Sequence, residues 1–327
     1  NTWAAALLGT TGADRPAADT TDDWEFNADT NSRNEVDAFS AIATVQYEAS
    51  WGVFKSISGF SEYEQFAGGD SDFSTFGLAD LTLDTKATVI SQEFQIQSNS
   101  DDSKLSWLFG LYFLNEEIDE LFRFDFLLGG FDFSTRDGGA EATSYAGFGQ
   151  IDYDFTEKTR LNIGFRYTYD DKSYDSTDVG RRDDRGTVNG DETFDEFTWR
   201  LGIEHFPNEE VMLYANVSTG FKSGGFNRFR PPADGGIDYD LVYEPETITN
   251  FEAGIKADWM DGTMRTNLAV YYNEIDDLQA YAFDNSVPSS VTTNAGEAST
   301  FGVELENTYA PSPGVQLQAI VAYMDAE

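Results

Sequence analysis

Leu161-Asn162-Ile163-Gly164-Phe165-Arg166-Tyr167-Thr168-Tyr169 alternates without a break. Laid out as an extended chain, it puts Leu, Ile, Phe, Tyr and Tyr on one side and Asn, Gly, Arg and Thr on the other. A strand sends successive side chains to opposite faces, whereas a helix returns to one face every three or four residues, so this stretch predicts a strand. The same split recurs in Phe251-Glu252-Ala253-Gly254-Ile255-Lys256-Ala257-Asp258-Trp259. Val211, Leu213, Ala215 and Val217 oppose Met212, Tyr214, Asn216 and Ser218, and Phe301, Val303 and Leu305 oppose Gly302, Glu304 and Glu306. Helical spacing fits none of them.

Working outward, tight-turn signals fall near Ser50, Asp101, Glu157, Asn208, Asp261 and Ser312, at separations of 51, 56, 51, 53 and 51 residues. Asp261-Gly262 is a two-residue hairpin signal, and Pro207-Asn208 and Pro311-Ser312-Pro313-Gly314 are breakers. Between these turns lie Asp-, Gly- and Ser-rich stretches, such as residues 171–196 and 223–246, that read as long loops. The pattern predicts about twelve strands of roughly ten residues in six hairpins, with short turns at one rim and long loops at the other. That is the outer-membrane arrangement of short periplasmic turns and long extracellular loops, with strands long enough to cross a bilayer. Residues 1–38 then read as an extracellular loop ahead of the first complete strand. A repeat near fifty residues also fits a propeller, but blades use four short strands per repeat rather than two long ones.

Composition narrows the class. The 327 residues carry 59 acidic and 20 basic side chains, a formal charge of −39, and no Cys. Such a field repels phosphate backbones, so nucleic acid is not an expected partner. No run of 18 apolar residues occurs, which excludes a membrane-spanning helix but not a barrel, whose strands need apolar residues only at alternate positions. The N-terminus lacks the basic and apolar regions of a signal peptide, and an internal start is the expectation.

Charge then tells inside from outside. A Lys or Arg facing lipid at mid-bilayer costs about 2–4 kcal/mol. Arg166, Arg200, Glu252, Lys256, Arg265 and Glu304 all fall on the polar side of their strands, so that side is the expected lumen, with Phe165, Leu213, Ile255 and Val303 toward lipid. Tyr167, Tyr169, Trp199, Tyr272 and Trp259 suit the aromatic girdles found at membrane interfaces.

Several stretches now resemble a known family. Ala146-Gly147-Phe148-Gly149-Gln150-Ile151-Asp152-Tyr153-Asp154-Phe155-Thr156, with residues 161–167, looks like a mid-barrel hairpin of TonB-dependent receptors. Leu213-Tyr214-Ala215-Asn216-Val217-Ser218-Thr219-Gly220-Phe221-Lys222-Ser223-Gly224-Gly225-Phe226-Asn227 resembles their strand-and-loop segment. Tyr243-Glu244-Pro245-Glu246, running on to Glu252-Ala253-Gly254-Ile255-Lys256, is similar to the next, and Asn294-Ala295-Gly296-Glu297 with Gly302-Val303-Glu304 to the one after. The order and spacing hold from residue 146 to 327; residues 1–143 are supported by hairpin rhythm. The resemblance implies a barrel of about 22 strands closed by a plug. It also implies uptake driven by the inner-membrane TonB complex, commonly of iron–siderophore chelates and sometimes of cobalamin or carbohydrates. No plug domain or TonB-interacting segment precedes the strands, and the chain ends on Met324-Asp325-Ala326-Glu327 without a terminal aromatic. The expectation is therefore an all-β, outer-membrane-type antiparallel barrel, here an incomplete portion of about twelve strands, left as an open sheet with residues 39–48 and 315–324 at its edges.

The residues offer little chemistry of their own. No zinc or nucleophile motif is present, so no catalytic residue, metal site or cofactor is expected. His205 borders the Phe206-Pro207 turn and reads as structural. Gly220-Phe221-Lys222-Ser223 lacks the upstream glycine spacing and the following helix of a P-loop. Glu304 and Glu306 would stand about 7 Å apart on one strand face, a separation open to a glycosidase, but solvated lumen carboxylates suit them better. The acidic stretch 183–192 lacks the spacing of a calcium loop and reads as solvated. Cations are scarce, which singles out Lys222, Arg228 and Arg230 as contacts for an anionic chelate at the barrel mouth. The rival readings are a passive porin-like channel and, from another class, a secreted β-rich carbohydrate-active enzyme.

Overall fold

The computed structural model describes residues 31–71, 79–99, 104–126, 131–179, 186–227, 241–284 and 289–327. Among them every element is a strand. In chain order these are β1 (Arg33–Ala49), β2 (Gly52–Asp70), β3 (Ala79–Ser98), β4 (Leu105–Phe126), β5 (Phe131–Thr156), β6 (Thr159–Val179), β7 (Gly186–Asn208) and β8 (Val211–Lys222). There follow β9 (Gly225–Phe226), β10 (Val242–Tyr243), β11 (Glu246–Trp259), β12 (Met264–Asp276), β13 (Gln279–Asp284), β14 (Ser289–Asn294), β15 (Ala298–Ser312) and β16 (Val315–Ala326). Twelve of them form one antiparallel sheet in the order β1-β2-β3-β4-β5-β6-β7-β8-β11-β12-β15-β16. Each lies beside its sequence neighbour, the up-and-down winding of membrane barrels. The remaining four pair into two short ribbons, β9 with β10 and β13 with β14.

The short-turn rim is where the breakers place it, apart from the turn expected near Asp101, which lies outside the described residues. Two-residue links join β1 to β2 at Ser50-Trp51, β5 to β6 at Glu157-Lys158, β7 to β8 at Glu209-Glu210 and β15 to β16 at Pro313-Gly314. The turn at Asp261-Gly262 is longer than a two-residue hairpin. It runs from Met260 to Thr263, with Met260, Asp261 and Gly262 at φ of 55°, 57° and 78°. Gly262 takes that left-handed conformation at no steric cost, and the turn is closed by Thr263, whose N–H and hydroxyl both donate to Met260 O.

At the other rim the strands outrun expectation. They are 12 to 26 residues long rather than about ten. Most of the stretch 171–196, read as a loop, is the upper part of the β6–β7 hairpin: Asp171 pairs with Thr193 and Ser176 with Val188. Likewise Arg33 to Ala38 belong to β1, opposite Tyr63 to Gly68, so only residues 1–30 of the expected N-terminal loop fall outside the described residues. Above a membrane the outer face of a strand meets water and needs no apolar residue. The ladder is then held by main-chain bonds and polar cross-strand pairs such as Thr177–Thr187, with hydroxyls 3.1 Å apart, and no apolar alternation marks it.

Below that level the two faces separate cleanly. Phe60, Phe94, Leu111, Tyr145, Phe165, Leu201, Leu213, Phe251, Val270 and Phe301 are all exposed on one face. The register that aligns them places Arg166, Arg200, Asn216, Lys256 and Glu304 on the other. On β6 the apolar run from Leu161 to Tyr169 covers about 27 Å of strand at ~3.3 Å per residue, or roughly 20 Å once tilted by about 40°. That approaches the ~25 Å height of a lipid-facing band. Trp259 marks it beside the short turns, and Tyr169 and Tyr272 toward the opposite rim. On the inner face the charges lean on rings: the Arg166 guanidinium lies 5.3 Å from the Tyr112 ring centroid and 5.6 Å from that of Phe148.

β1 and β16 end the strand order and do not pair with each other. They contain the expected edges, 39–48 and 315–324, and every residue of β16 is exposed.

Candidate functional site

Above the apolar band, the described parts of the connections from β8 to β11 and from β12 to β15 fold back against the inner face of the wall. Lys172 reaches from β6 and donates from Nζ to Gly224 O at 2.7 Å, its ammonium 5.6 Å from the Phe194 ring centroid. Phe226 stacks on Tyr174 with ring centroids 6.2 Å apart. Gly224 and Gly225 are required by this contact. A Cβ at Gly224 would stand 2.4 Å from Phe194 Cε1 and 2.5 Å from Tyr243 O, and one at Gly225 would stand 2.5 Å from Tyr243 Oη.

Three amide side chains bind these connections to each other. Asn227 donates from Nδ2 to Thr292 O at 2.8 Å and accepts from Thr292 N–H at 2.7 Å. Asn294 accepts from Glu244 N–H at 2.9 Å and donates to Glu244 O and Asp277 O. Gln279 donates from Nε2 to Ser223 O at 3.1 Å and Glu244 O at 3.0 Å, while its own N–H donates to the Glu246 carboxylate at 2.7 Å. An amide carries both donors and an acceptor, which is what crossing loop backbones need in place of a ladder. The motif residues Gly224-Gly225-Phe226-Asn227, Tyr243-Glu244 and Asn294 are thus accounted for as the fastening of an inner loop layer.

Between this layer and the wall lies a cavity of about 350 Å³. Gly138 and Ala140 of β5 form its floor and Phe226 and Tyr243 its roof. Arg136, Lys172 and Lys222 border it together with Glu116 and Glu120. Arg136 is buried, its guanidinium 3.2 Å from Glu120 and 5.0 Å from the Phe122 ring centroid. Burial pushes the Lys172 ammonium below its ordinary range, opposed by the charges of Asp170 and Glu116. Ser223 Oγ is buried on this cavity without a hydrogen-bond partner among the described residues. The walls offer both charge signs, a hydroxyl and aromatic faces, suited to holding a polar ligand.

Of the residues singled out in the sequence, Lys222 is here, exposed at the end of β8 opposite Glu246. Arg228 and Arg230 lie outside the described residues. Lys172, Arg136 and Gln279 were missed; the signal was a lone Lys172 in the acidic run 170–178, within a stretch read as loop. His205 is structural, with Nδ1 3.1 Å from the Thr159 hydroxyl. Glu306 sits on the inner face within 3.5 Å of the Asn267 amide, two residues from Glu304. Of the acidic stretch 183–192, the part from Gly186 onward belongs to β7. Among the described residues no group of three or more His, Cys, Asp or Glu is disposed to hold a metal.

The whole chain, residues 1–327, matches the family model described as TonB dependent receptor-like, beta-barrel. The chain belongs to the TonB-dependent receptor β-barrel family. The pesticin receptor of Yersinia enterocolitica is 25% identical over 228 residues, 68% of this chain and 32% of the relative. The metal-pseudopaline receptor CntO of Pseudomonas aeruginosa is 29% identical over 179 residues, 54% of this chain and 23% of the relative. The crystal structure of the ferric yersiniabactin uptake receptor FyuA from Yersinia pestis superposes with a TM-score of 0.79 at 19% identity, over 91% of this chain and 44% of that one. That likeness fixes the receptor-barrel fold. The chain spans less than half the length of these relatives.

Proposed function

We propose that this chain is part of the wall and mouth of an outer-membrane receptor for active uptake of a scarce nutrient, an iron–siderophore or similar metal chelate. In this reading the sheet, open at β1 and β16, is one portion of a longer closed wall, and the TonB complex drives release through a plug domain. The observation that carries it is the inner loop layer fastened by Asn227, Gln279 and Asn294 over a cavity bordered by Lys172 and Lys222. A receptor must present a shaped polar surface at its mouth, and this layer supplies one. A ferric yersiniabactin uptake receptor and a metal-pseudopaline receptor among the similar proteins support the same reading. Lys222, with Arg228 and Arg230 beyond it, meets the anionic groups of the chelate, and the protein acts as a transporter and not an enzyme.

The test is uptake of ⁵⁵Fe-labelled chelates by bacteria carrying or lacking the gene, with TonB intact or deleted. Accumulation that needs both the gene and TonB is expected. Accumulation that survives loss of TonB would make the protein a passive channel.

A further inference from the structure

On the lipid-facing side, three successive cross-strand rows meet β5. From the short-turn side they are Ile96–Phe109–Gly149–Phe165, then Phe94–Leu111–Gly147–Tyr167, then Gln92–Phe113–Tyr145–Tyr169. Two of the three positions on β5 are glycine, and the two are treated differently. Phe109 and Phe165 close over Gly149, where a Cβ would stand 2.5 Å and 2.8 Å from their rings. Over Gly147 nothing closes: the nearest atom to a Cβ there is Leu111 Cδ2 at 3.8 Å. Tyr167, the neighbour that could cover it, has its hydroxyl bonded to Asp195 at 3.1 Å. Asp195 lies on β7, on the far side of β6 from β5, so this bond turns the ring away from the gap. The result is an apolar notch of about 400 Å³ bordered by Phe94, Leu111, Phe113, Tyr145, Tyr167 and Tyr169.

We infer that the notch over Gly147 binds one acyl chain of an outer-leaflet lipid. A void there would leave six side chains without contacts on one side, and a water would find few partners, since the Gln92 amide on the border is already bonded to Ser56 and Ser58 and the Tyr167 hydroxyl to Asp195. The notch is continuous with the lipid-facing band and lies in its upper part, below Asp171, the level that a chain from the outer leaflet reaches. This rests on the outer-membrane reading.

The test is native mass spectrometry of the receptor, delipidated in detergent and titrated with dipalmitoyl phosphatidylethanolamine, against Gly147→Leu and Tyr167→Phe. The room above Gly147 lets the leucine variant fold. Wild type should retain one lipid more than Gly147→Leu, and Tyr167→Phe, whose ring is released to cover the gap, should retain it less. Equal retention in wild type and Gly147→Leu overturns the inference, as does a wild-type dimer that Gly147→Leu splits, since a second copy would then fill the notch. Failure of the outer-membrane reading looks different: both proteins would stay in solution without detergent and bind no lipid.

Discussion

Asp258 and Arg265 stand directly opposite each other across the β11–β12 hairpin, and the guanidinium grips the carboxylate at two points, 2.7 Å from Nε and 3.0 Å from the second nitrogen. Asp154 and Arg160 repeat the arrangement just above the β5–β6 turn, at 2.8 Å and 3.4 Å. Each fork fixes register one step from a short turn, on the inner side of the wall. Asp258→Asn removes the carboxylate and should melt below wild type. Both side chains are exposed, so the gap should be small and shrink in concentrated salt. A gap of the same size at low and high salt would remove the ion pair as its cause.

Facing makes a sharper prediction. Phe165 is exposed on the apolar face at the middle of the β6 band, while Asn216 sits on the opposite face beside Glu252. Phe165→Arg should cost about 2–4 kcal/mol and Asn216→Arg much less, because only the first places a guanidinium in lipid. Equilibrium unfolding in lipid vesicles measures both. Equal losses would contradict the assignment of faces.

The inner loop layer should loosen without the wall melting. Asn227 is 4% exposed and satisfies both main-chain groups of Thr292. In Asn227→Ala those groups lose their partners at a cost of about 1–3 kcal/mol, which corresponds to roughly 5- to 150-fold more frequent local opening. Hydrogen exchange should accelerate by that order in residues 289–294 and leave the middle of β5 and β6 unchanged. Faster exchange throughout the wall would mean that the layer holds the barrel and is not merely docked on it.

The wall was legible in the sequence wherever one strand face meets lipid, because a bilayer demands an apolar side chain at every second position, as from Leu161 to Tyr169. Above the band that demand ends. Residues 171–178 form a strand as regular as the one below them, yet read as loop, since Asp171, Ser173 and Asp175 face water where lipid would demand apolar side chains, while Lys172 and Tyr174 on the other face pack against the inner loop layer. The site suffered for the same reason. Lys222 could be picked out as a rare cation at the end of an alternating strand, but Arg136 and Lys172 stand on extensions with no period. Gln279 acts through main-chain carbonyls 35 and 56 residues away, at Glu244 and Ser223, a relation no local pattern contains. The motif Gly224-Gly225-Phe226-Asn227 marked the right place; only the packing against Phe194 and Tyr243 shows why glycine is needed there.

The edges give the last prediction. β1 and β16 each have one neighbour, so each presents a row of main-chain N–H and C=O groups to its surroundings. In hydrocarbon every such group costs several kcal/mol, which is why membrane-spanning sheets close on themselves. In water the same rows pair with other chains, and Phe39, Val45, Val321 and Tyr323, all exposed, add apolar surface beside them. Joining β1 to β16 directly would make a twelve-stranded ring, but strand number, tilt and shear are linked, so the register of all eleven strand pairs would have to suit the smaller circle. Residues 1–327 produced by themselves in detergent should therefore yield no sealed barrel. The outward-pointing amides of β1 and β16 should exchange far faster than amides at the middle of β6, and the material should migrate in SDS gels without the heat-dependent shift of a closed barrel. Amides on both edges protected as strongly as those of β6 would show that the two strands pair, and would turn the reading toward a complete small pore.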